Sequence, residues 1–490
     1  MKKVIVLILA MGALVTSCGD DFLSKFPNTQ VSEGNFYKTE DQLSAAVNDC
    51  YRQLNRLYEE SSICELYGEL YSDNTCNTWM QYFASSDPFL DNISRYIQED
   101  NNGYILDAWN ACYNGIFICN NVLYWLENSE AVYKEEKTKK QFIGEVRTIR
   151  ALFYFNMVRA WGAIPMPLAP ISPEESYNYL REDPSKVYEQ IITDLTMAKE
   201  YLPESYSKTH VGKVTKYAAM ALLGKVYLTL GDKTKAAIEL KSVIDSGLYS
   251  LDTNEDGLVD GTDYEYLFAP TTKNCKESLL ECQFLAGVSN PNSTHQTAYM
   301  PFLWSFHLPG QTETFRGHGH CTPTKDLIAE FEPTDTIRKN VTVVEGFVDL
   351  ESGKWEDYPF TMKFYDPNWR NPGNNFKILR YADVLLMYAE AVGEDEGKKY
   401  LNQVRARAGL VGYGDADYPK EYNTFNKALE HERRVELAME FHRFFDLVRT
   451  NRAMEVINSK GFNLTKDKLL FPIPVNAIDI NPGLLQNPGY

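Results

Sequence analysis

Two apolar segments of helical length, separated by a tight turn, constrain the fold of this chain most strongly. The first runs from Tyr217 to Leu230, is apolar nearly all round and carries several small residues, among them Gly224. Small residues on more than one side let neighbouring helices approach closely. Gly231-Asp232 supplies the turn, and a second helix is predicted from Thr234 to Ile244. The chain is therefore predicted to contain antiparallel helix pairs.

Helical periodicity recurs at distant points of the chain. The hairpin resembles a tetratricopeptide repeat unit, and a looser copy lies between Leu379 and Gly409. Three further segments repeat apolar residues every three or four positions: Gln42–Tyr58, Asp107–Asn128 and Lys139–Trp161. One hairpin cannot bury its own apolar faces, so the copies are expected to stack. The predicted fold class is mostly α, a tetratricopeptide-like helix-pair scaffold with a loop-rich second lobe that carries short strands.

The composition changes in the middle of the chain. From 251 to 376, Gly, Pro, Asn, Asp and Thr dominate, with short β-like runs at Leu279–Phe284 and Val341–Leu350. Loops held by a rigid scaffold are common places for binding sites. The predicted organisation is a signal peptide at 1–17, an N-terminal helical region at 18–250, a loop-rich insertion at 251–376 and a C-terminal helical region at 377–490.

A charged helix is predicted from Lys427 to Arg449. Glu430 has the spacing to pair with Arg433 and Arg434 on one helix face. Such charge density would suit a partner surface, but a solvated helix that pairs its own charges is the favoured interpretation.

The N-terminus has the pattern of an export signal. Met1-Lys2-Lys3 precede the apolar run Val4–Val15, which is too short to remain as a membrane-spanning helix, and Ser17 and Cys18 follow. The pattern predicts cleavage before Cys18 and acylation of its thiol as a lipid anchor. The alternative is an ordinary secretory signal with a chance cysteine.

Net charge and the remaining apolar pattern exclude several classes of partner. The chain carries 49 Lys and Arg against 67 Asp and Glu, a formal charge of −18. This balance disfavours nucleic acid and electrostatic docking on an anionic membrane. No later apolar run is long enough to cross a bilayer, so attachment is expected to rest on the acyl chains. Eight cysteines follow Cys18 without a CxxC pair, and their spacing does not define disulfides.

Signatures of common enzymes are absent from the sequence. It contains no GxSxG, HExxH, GxxxxGK[ST] or GxGxxG pattern. A pair of glycosidase carboxylates is defined by spatial separation, so the sequence alone leaves it open. His318-Gly-His320-Cys321 is a candidate zinc-binding group that lacks a fourth ligand, and a solvated glycine-rich loop is the alternative.

One acidic stretch matches the spacing of a calcium-binding loop. Oxygen ligands at alternate positions and a turn at Gly257 would surround a hard cation. The candidate ligands are Asp252, Asn254, Asp256, Leu258 (through its carbonyl), Asp260 and Asp263. Asp263 stands where a longer glutamate is usual. The alternative is an acidic turn between helices, because Asp, Asn and Gly are common turn formers. No other cofactor is expected.

Two clusters combine aromatic rings with polar groups, which is the chemistry that sugar recognition needs. Sugars stack their CH faces on aromatic rings and hydrogen-bond through their hydroxyls. The candidate ligand-binding residues are Asp73, Asn74, Trp79 and Tyr82 in the first cluster and Trp304 and Arg316 in the second. Trp355 and Trp369 are weaker candidates, and Trp109 and Trp161 are expected in the core. For each tryptophan a buried structural role is the alternative.

Ten segments along nearly the whole chain occur in a characteristic order. They are Cys18-Gly-Asp-Asp-Phe-Leu, Arg150-Ala-Leu-Phe-Tyr-Phe, Trp161-Gly-Ala-Ile-Pro165, the Tyr217 hairpin, Leu379–Glu390, Asn402–Gly409, Glu432–Leu437, Phe445–Arg449, Phe471–Pro474 and Asn487–Tyr490. Each segment alone is weak, but their joint order is specific. In this order they resemble the SusD/RagB family of outer-membrane nutrient-binding lipoproteins.

The resemblance implies a function as well as a fold. Members of the family are lipid-anchored in the outer membrane and face outward. They bind oligosaccharide or sometimes peptide, and they sit on a SusC-type TonB-dependent β-barrel transporter. The expected function is therefore non-catalytic glycan binding and delivery to that transporter, with a peptide or glycopeptide receptor as the alternative and a surface glycosidase last. The family also tends to build its site from the two regions that hold the aromatic clusters.

Overall fold

A computed structural model describes most of the chain. The described residues are 36–77, 87–301, 306–307, 314–315 and 317–490. The predicted lipid anchor Cys18 and the candidate ligand-binding residues Trp79, Tyr82, Trp304 and Arg316 lie outside them, so their assignments stay predictions.

The N-terminal half is mainly helical, as its periodicity predicts. Its elements are α1 Glu40–Tyr58, α2 Ile63–Glu65 with a π turn at Leu66–Leu70, β1 Thr75–Cys76, α3 Pro88–Ser94, α4 Gly103–Asn128, α5 Glu136–Trp161, β2 Ile164–Pro165, α6 Pro173–Ser176, β3 Arg181–Glu182, α7 Pro184–Tyr201, a 3-10 turn at Lys208–His210, α8 Lys216–Thr229 and α9 Lys233–Asp245.

The rest of the chain alternates short elements with longer helices. Its elements are α10 Gly261–Phe268, β4 Ser278–Cys282, α11 His295–Tyr299, β5 Phe306–His307, β6 Thr314–Phe315, β7 Thr322–Pro323, α12 Lys325–Glu330, α13 Thr336–Thr342, β8 Phe347–Val348, β9 Trp355–Glu356, β10 Phe376–Arg380, α14 Tyr381–Val392, α15 Glu394–Arg407, α16 Phe425–Glu436, α17 Arg443–Arg449, α18 Ala453–Ser459 and α19 Val475–Ile480, with 3-10 turns at Lys420–Tyr422 and Lys466–Leu469.

The long helices stack side by side through one large apolar core. Helix α1 packs on α4, α4 on α5, α5 on α7, α7 on α8, and the α8–α9 pair on the α14–α15 pair. Trp109 and Trp161 are buried in this core, as expected. The mostly α fold class with stacked helix pairs is confirmed. Among the described residues no helix is long and apolar enough to cross a bilayer.

The turn and the close packing of the α8–α9 hairpin depend on the glycines and the aspartate from which it was predicted. Gly231 has φ +77°, a conformation that glycine adopts without strain, and the Asp232 side chain caps α9 by accepting a hydrogen bond from the Lys235 backbone N–H at 3.0 Å. A Cβ on Gly224 would lie 2.6 Å from Cγ of Leu240. The two helices therefore pack at a separation that only glycine permits at this position.

The central region contains short helices and two-stranded ladders. Strand β4 pairs antiparallel with β10, which confirms the β-like run at Leu279–Phe284, and β8 pairs with β9. The run Val341–Leu350 is only partly extended, because α13 includes its first two residues. A small apolar cluster formed around Phe347 and Phe360 supports this lobe. The division of the chain into regions at 250 and 376 stays a proposal.

The predicted helix from Lys427 to Arg449 is not continuous. Helix α16 ends at Glu436, and Met439 and Phe441 adopt positive φ values of 67° and 64° before α17 begins. Their backbone N–H groups donate to the Glu69 carboxylate at 3.1 and 3.0 Å. Positive φ is costly for bulky residues and persists only where the surroundings determine it. Glu69, from a distant part of the chain, supplies that constraint.

The interpretation of this segment as solvated is also wrong, and its charges do not form the predicted pairs. Arg433 and Arg434 are each 5% exposed, and neither pairs with Glu430. Arg433 binds Asp383 and Asp446 instead. Periodicity along one helix cannot reveal that partners come from other elements.

A buried charge network ties the central region to the C-terminal helices. Glu436 is fully buried and pairs with Arg338 at 2.9 Å, with Arg380 at 2.5 Å and with Arg407. Glu277 pairs with Arg380 at 2.8 Å and with Arg407 at 3.1 Å. Burial raises the pKa of Glu436, but the three arginine charges outweigh it and hold that pKa well below its ordinary value.

Removing the central carboxylate charge is expected to destabilise the fold. Glu436→Gln would leave buried arginine charge without compensation, so the free energy of unfolding should fall by about 3–5 kcal/mol. Urea denaturation measures this change. Glu265→Gln, on an exposed side chain of α10, is the matched control and should change stability by less than about 0.5 kcal/mol. Equal stability of the two variants would contradict the role assigned to the network.

Candidate functional site

A short antiparallel ladder lies beside the attachment points of the two predicted aromatic clusters. Strand β1 pairs with β7, with Thr75 opposite Pro323 and Cys76 opposite Thr322. Residues 78–86, which hold Trp79 and Tyr82, begin two residues after β1; residues 302–316, which hold Trp304 and Arg316, end six residues before Thr322. We call these stretches the two aromatic segments. Their attachment points are therefore neighbours in space.

The second aromatic segment is closed at its base by backbone hydrogen bonds. The Gly317 N–H donates to the Pro301 carbonyl at 2.8 Å, and the His320 N–H donates to the Ala298 carbonyl at 2.8 Å. A Cβ on Gly317 would lie 2.2 Å from the Met300 carbonyl oxygen. The backbone at residue 317 can therefore approach the backbone at residue 300 only because residue 317 is glycine. The two ends of the segment are held together as a result.

The first aromatic segment ends at a helix cap. The Asp87 carboxylate accepts a hydrogen bond from the Leu90 backbone N–H at 3.2 Å, which caps α3. The other carboxylate oxygen of Asp87 accepts a hydrogen bond from the Tyr104 hydroxyl on α4. Asp87 also lies close enough to His320 to raise its pKa. The residues that flank the first segment on both sides therefore lie near residues 320–322, which follow the second segment.

Asp73 and Asn74 are buried, and their polar groups are already bound. The Asp73 carboxylate accepts hydrogen bonds from Arg443 at 2.7 and 3.0 Å, and Arg434 lies 3.0 Å from it. Asn74 accepts from Arg434 at 3.0 Å and donates to Glu69 at 3.1 Å. This geometry favours a positioning role, in which the two residues fix the strand that carries the first aromatic segment, over the direct ligand contact that the sequence suggested.

Just after the second aromatic segment in the chain, two histidines pair with a glutamate. His318 Nδ1 donates to Glu60 Oε1 at 2.8 Å, and His320 Nδ1 lies 3.1 Å from the same oxygen. Burial raises the pKa of Glu60, but its hydrogen bonds with the histidines outweigh burial and lower the pKa to about 2. Burial lowers the pKa of His320, but the Glu60 carboxylate outweighs it and raises that pKa above its ordinary value.

The predicted zinc group is not assembled. The Cys321 thiol, which belongs to the same sequence group, points at Glu65 at 3.4 Å. Within the described part of the chain, no three His, Cys, Asp or Glu side chains are placed to hold a metal ion. The alternative of a solvated loop is also wrong, because Gly317, Gly319 and His320 are buried.

The predicted calcium loop acts as a helix cap. The buried carboxylate of Asp263 accepts from the backbone N–H of Thr253 at 2.6 Å, of Asn254 at 3.2 Å and of Asp260 at 3.0 Å. Asp252 accepts from the Gly257 N–H at 3.1 Å. These contacts fit the alternative interpretation, an acidic turn that begins α10. Within the described part of the chain, no three carboxylates are placed to hold a metal ion.

Several residues that build this region were not identified from the sequence. Glu60 contacts His318 and Tyr104 contacts Asp87, residues that follow the two aromatic segments, and Arg443 holds Asp73 from 370 positions away. No short-range spacing signals such contacts. Of the weaker candidates, Trp355 is 61% exposed on β9, outside both segments, and Trp369 packs on the small central apolar cluster.

Comparison with known proteins identifies the class to which this architecture belongs. A laminarin-binding SusD-like protein of known structure is 25% identical, with a TM-score of 0.75 over 93% of this chain and 100% of that one. Surface glycan-binding protein A from Bacteroides thetaiotaomicron, solved in complex with laminarihexaose, is 22% identical, with a TM-score of 0.75 over 92% of this chain and 100% of that one. The protein has a SusD-like fold.

Sequence comparison defines the family. Residues 358–490 match the SusD family, and residues 21–228 match the family described as starch-binding associating with outer membrane. SusD-like protein P2 of Formosa agariphila is 26% identical over 539 residues, which cover 100% of both chains. A SusD-like protein of Bacteroides ovatus is 26% identical over 490 residues, which cover 91% of this chain and 82% of the relative. The chain belongs to the SusD/RagB family.

The histidine pair provides a test of the site's electrostatics. His320 has a raised pKa, so its pairing with Glu60 stabilises the fold fully below pH 6.5 and is lost as the pH rises through the folded-state pKa. Glu60 has a lowered pKa, so its contribution is present above pH 4.5 and is lost as the pH falls through about 2. Glu60→Gln should therefore lower the pKa of His320. NMR titration of the imidazole resonances measures this pKa, and the His320→Gln variant identifies which resonances belong to His320.

The control for this titration is Glu189→Gln, which changes an exposed side chain on α7. It should leave the pKa of His320 where it is in the unaltered protein. An unchanged His320 pKa in Glu60→Gln would contradict the geometry described for the pair.

Proposed function

We propose that this protein is a cell-surface receptor for a nutrient glycan, which binds an oligosaccharide between its two aromatic segments without catalysing a reaction. The β1–β7 ladder carries this proposal. It joins the attachment points of 78–86 and 302–316, which hold the tryptophan and tyrosine rings that sugar stacking requires. A helical scaffold fixes the spacing of these attachment points, and such preorganisation lowers the entropy cost of binding.

Related proteins support the class of ligand. Two proteins with the same fold are a laminarin-binding SusD-like protein, 25% identical to this chain, and surface glycan-binding protein A, whose structure was solved with laminarihexaose. Laminarin is therefore the first glycan to test. Other polysaccharides and peptides belong in the same screen, because the family description and the relatives' names do not define a single ligand.

Delivery and anchoring complete the proposal. The bound oligosaccharide passes to a SusC-type TonB-dependent β-barrel transporter, and the protein is held at the outer membrane, facing outward, by acylation of Cys18. The family description that mentions the outer membrane supports this location. The cysteine after a short apolar signal supports the anchor.

Removing either stacking ring is expected to weaken glycan binding. Trp79→Ala and Trp304→Ala in residues 19–490 should each reduce affinity by about tenfold, the effect of losing roughly 1.4 kcal/mol of stacking energy. Isothermal titration calorimetry against laminarin and a polysaccharide panel measures the change. No new reducing ends should appear when the unaltered protein is incubated with the glycan that it binds.

Trp355→Ala is the matched control, since it removes an exposed tryptophan outside both segments. Its affinity should equal that of the unaltered protein. Binding that survives in both segment variants but is lost in Trp355→Ala would place the site elsewhere. Binding of peptides alone would show that the ligand is a peptide and not a glycan. Turnover of the glycan would contradict the non-catalytic role.

The lipid anchor is tested by Cys18→Ala. Without the thiol no acyl chain can be attached, so the variant should leave the membrane fraction while its circular dichroism spectrum stays unchanged. Fractionation of cells at low and high salt, with immunodetection, measures this. Retention of the variant in the outer membrane at high salt would show that attachment does not depend on acylation.

A further inference from the structure

One arginine inside the helical stack has no acidic partner. Arg159, near the end of α5, is partly buried and makes no ion pair with a carboxylate in the part of the chain that the structure describes. The lysines and arginines that are buried there each pair with at least one carboxylate. They are Arg150, Lys225, Arg338, Lys363, Lys377, Arg380, Arg405, Arg407, Arg433, Arg434 and Arg443. A charge withdrawn from water without such a partner is costly, so the exception calls for another compensating group.

Two phenylalanine rings cover the faces of the Arg159 guanidinium and leave only its edge open. Its Cζ lies 3.8 Å from the ring centroid of Phe155 and 3.6 Å from that of Phe445. Nε donates to the Phe155 carbonyl at 3.0 Å, and Nη2 donates to the side-chain oxygen of Asn156. Nη1 has no acceptor among the described residues, and it is not one of the enclosed atoms without a partner, so it keeps accessible surface. The free donor of Arg159 is therefore Nη1.

Arg159 lines a small cavity between α5, α8, β10 and the break that precedes α17. The cavity volume is about 20 Å³. A single water needs roughly 10–15 Å³ by the same measure, so the cavity holds one water or one small ion and excludes any ligand of sugar size. Much of its wall is apolar, formed by Leu152, Phe155, Leu222, Ile378, Leu379 and Phe441.

Lys225 adds a second positive charge to the cavity wall. Its Nζ donates to Asp383 at 3.0 Å and lies 3.1 Å from His442 Nδ1. Burial and the Lys225 charge lower the pKa of His442 to about 3, so the ring is neutral, and Nδ1 accepts because an ammonium group can only donate. One of the three N–H groups of Lys225 is left without an acceptor among the described residues.

The two cations lie close enough to influence each other. Burial lowers the pKa of Lys225; Asp383 opposes this effect, and the charge of Arg159 adds to it. An anion between the two groups would relieve this repulsion and the missing compensation of Arg159 together.

The carboxylate that stands in the described part of the wall is already compensated. Glu440 accepts hydrogen bonds from Arg380 at 2.7 and 3.0 Å and from Lys363 at 2.7 Å. These two cations outweigh burial and hold the pKa of Glu440 below its ordinary value. Glu440 therefore does not supply the charge that Arg159 lacks.

We propose that this cavity binds a chloride ion. The ion accepts hydrogen bonds from Nη1 of Arg159 and from the remaining N–H of Lys225, and it supplies the missing negative charge. A water molecule fits the same volume but carries no charge. The apolar wall lowers the local dielectric constant, which strengthens the attraction between the ion and the two cations. The bound ion stabilises the junction of α5, α8 and the break before α17, apart from the aromatic segments.

Thermal unfolding of residues 19–490 tests the proposal. Chloride is raised from about 5 to about 300 mM while sodium gluconate, whose anion is too large for the cavity, keeps the ionic strength constant; Tm should rise by about 1–2 °C. Arg159→Met keeps apolar contact with the two phenylalanine rings and removes the charge, so its Tm should not depend on chloride. Arg52→Met removes an arginine of α1 whose side chain is 71% exposed and should follow the unaltered protein.

A second measurement does not depend on the folding of a variant. Bromide replaces chloride in such sites and scatters anomalously, so crystals of the unaltered protein soaked in sodium bromide should show an anomalous peak beside the Arg159 guanidinium. A peak there supports the proposal. Absence of a peak at this position, or the same chloride dependence of Tm in Arg159→Met and in the unaltered protein, overturns it.

Discussion

The buried pairing of Glu436 with Arg338, Arg380 and Arg407 is the interaction on which the rest of the architecture depends. The three arginines come from the central region, from the end of β10 and from α15, so one carboxylate of α16 joins three separate elements of the chain. Such networks are expensive to desolvate and are stable only when every member is paired. Here Glu277 completes the arginine pairing. The central lobe is thereby fixed to the helical stack, which gives its loops a rigid base.

Local sequence patterns predicted the scaffold but not its interruptions. The α8–α9 hairpin was predictable because glycine, aspartate and apolar spacing act within a few residues of each other. The break after α16 was not, because it requires the Glu69 carboxylate to bind the N–H groups of Met439 and Phe441, 370 and 372 positions away. The buried partners of Arg433 were missed for the same reason. Charge spacing along one helix predicts the ion pairs of a surface helix, but it does not predict the partners of a buried helix, which come from other elements.

The candidate site was predictable in its components and not in its assembly. Tryptophan and tyrosine among amides indicated the two aromatic segments from composition alone. The proximity of their attachment points depends on a ladder between β1 and β7, strands of two residues that no periodicity analysis detects. Asp73 had the chemistry of a sugar ligand, yet the structure uses its charge to hold Arg443. In the stretch with calcium-loop spacing, the Asp263 carboxylate accepts backbone N–H groups, an arrangement that the spacing of its acidic residues does not reveal.

The central claim is that the two aromatic segments form one binding site. Hydrogen–deuterium exchange of residues 19–490, with and without a glycan that binds, tests this most directly, since it reports on both segments in one experiment. We expect residues 78–86 and 302–316 to gain protection together and at the same glycan concentration, while exposed helix ends such as that of α7 do not change. Protection confined to one segment, or appearing only elsewhere in the chain, would contradict a shared site.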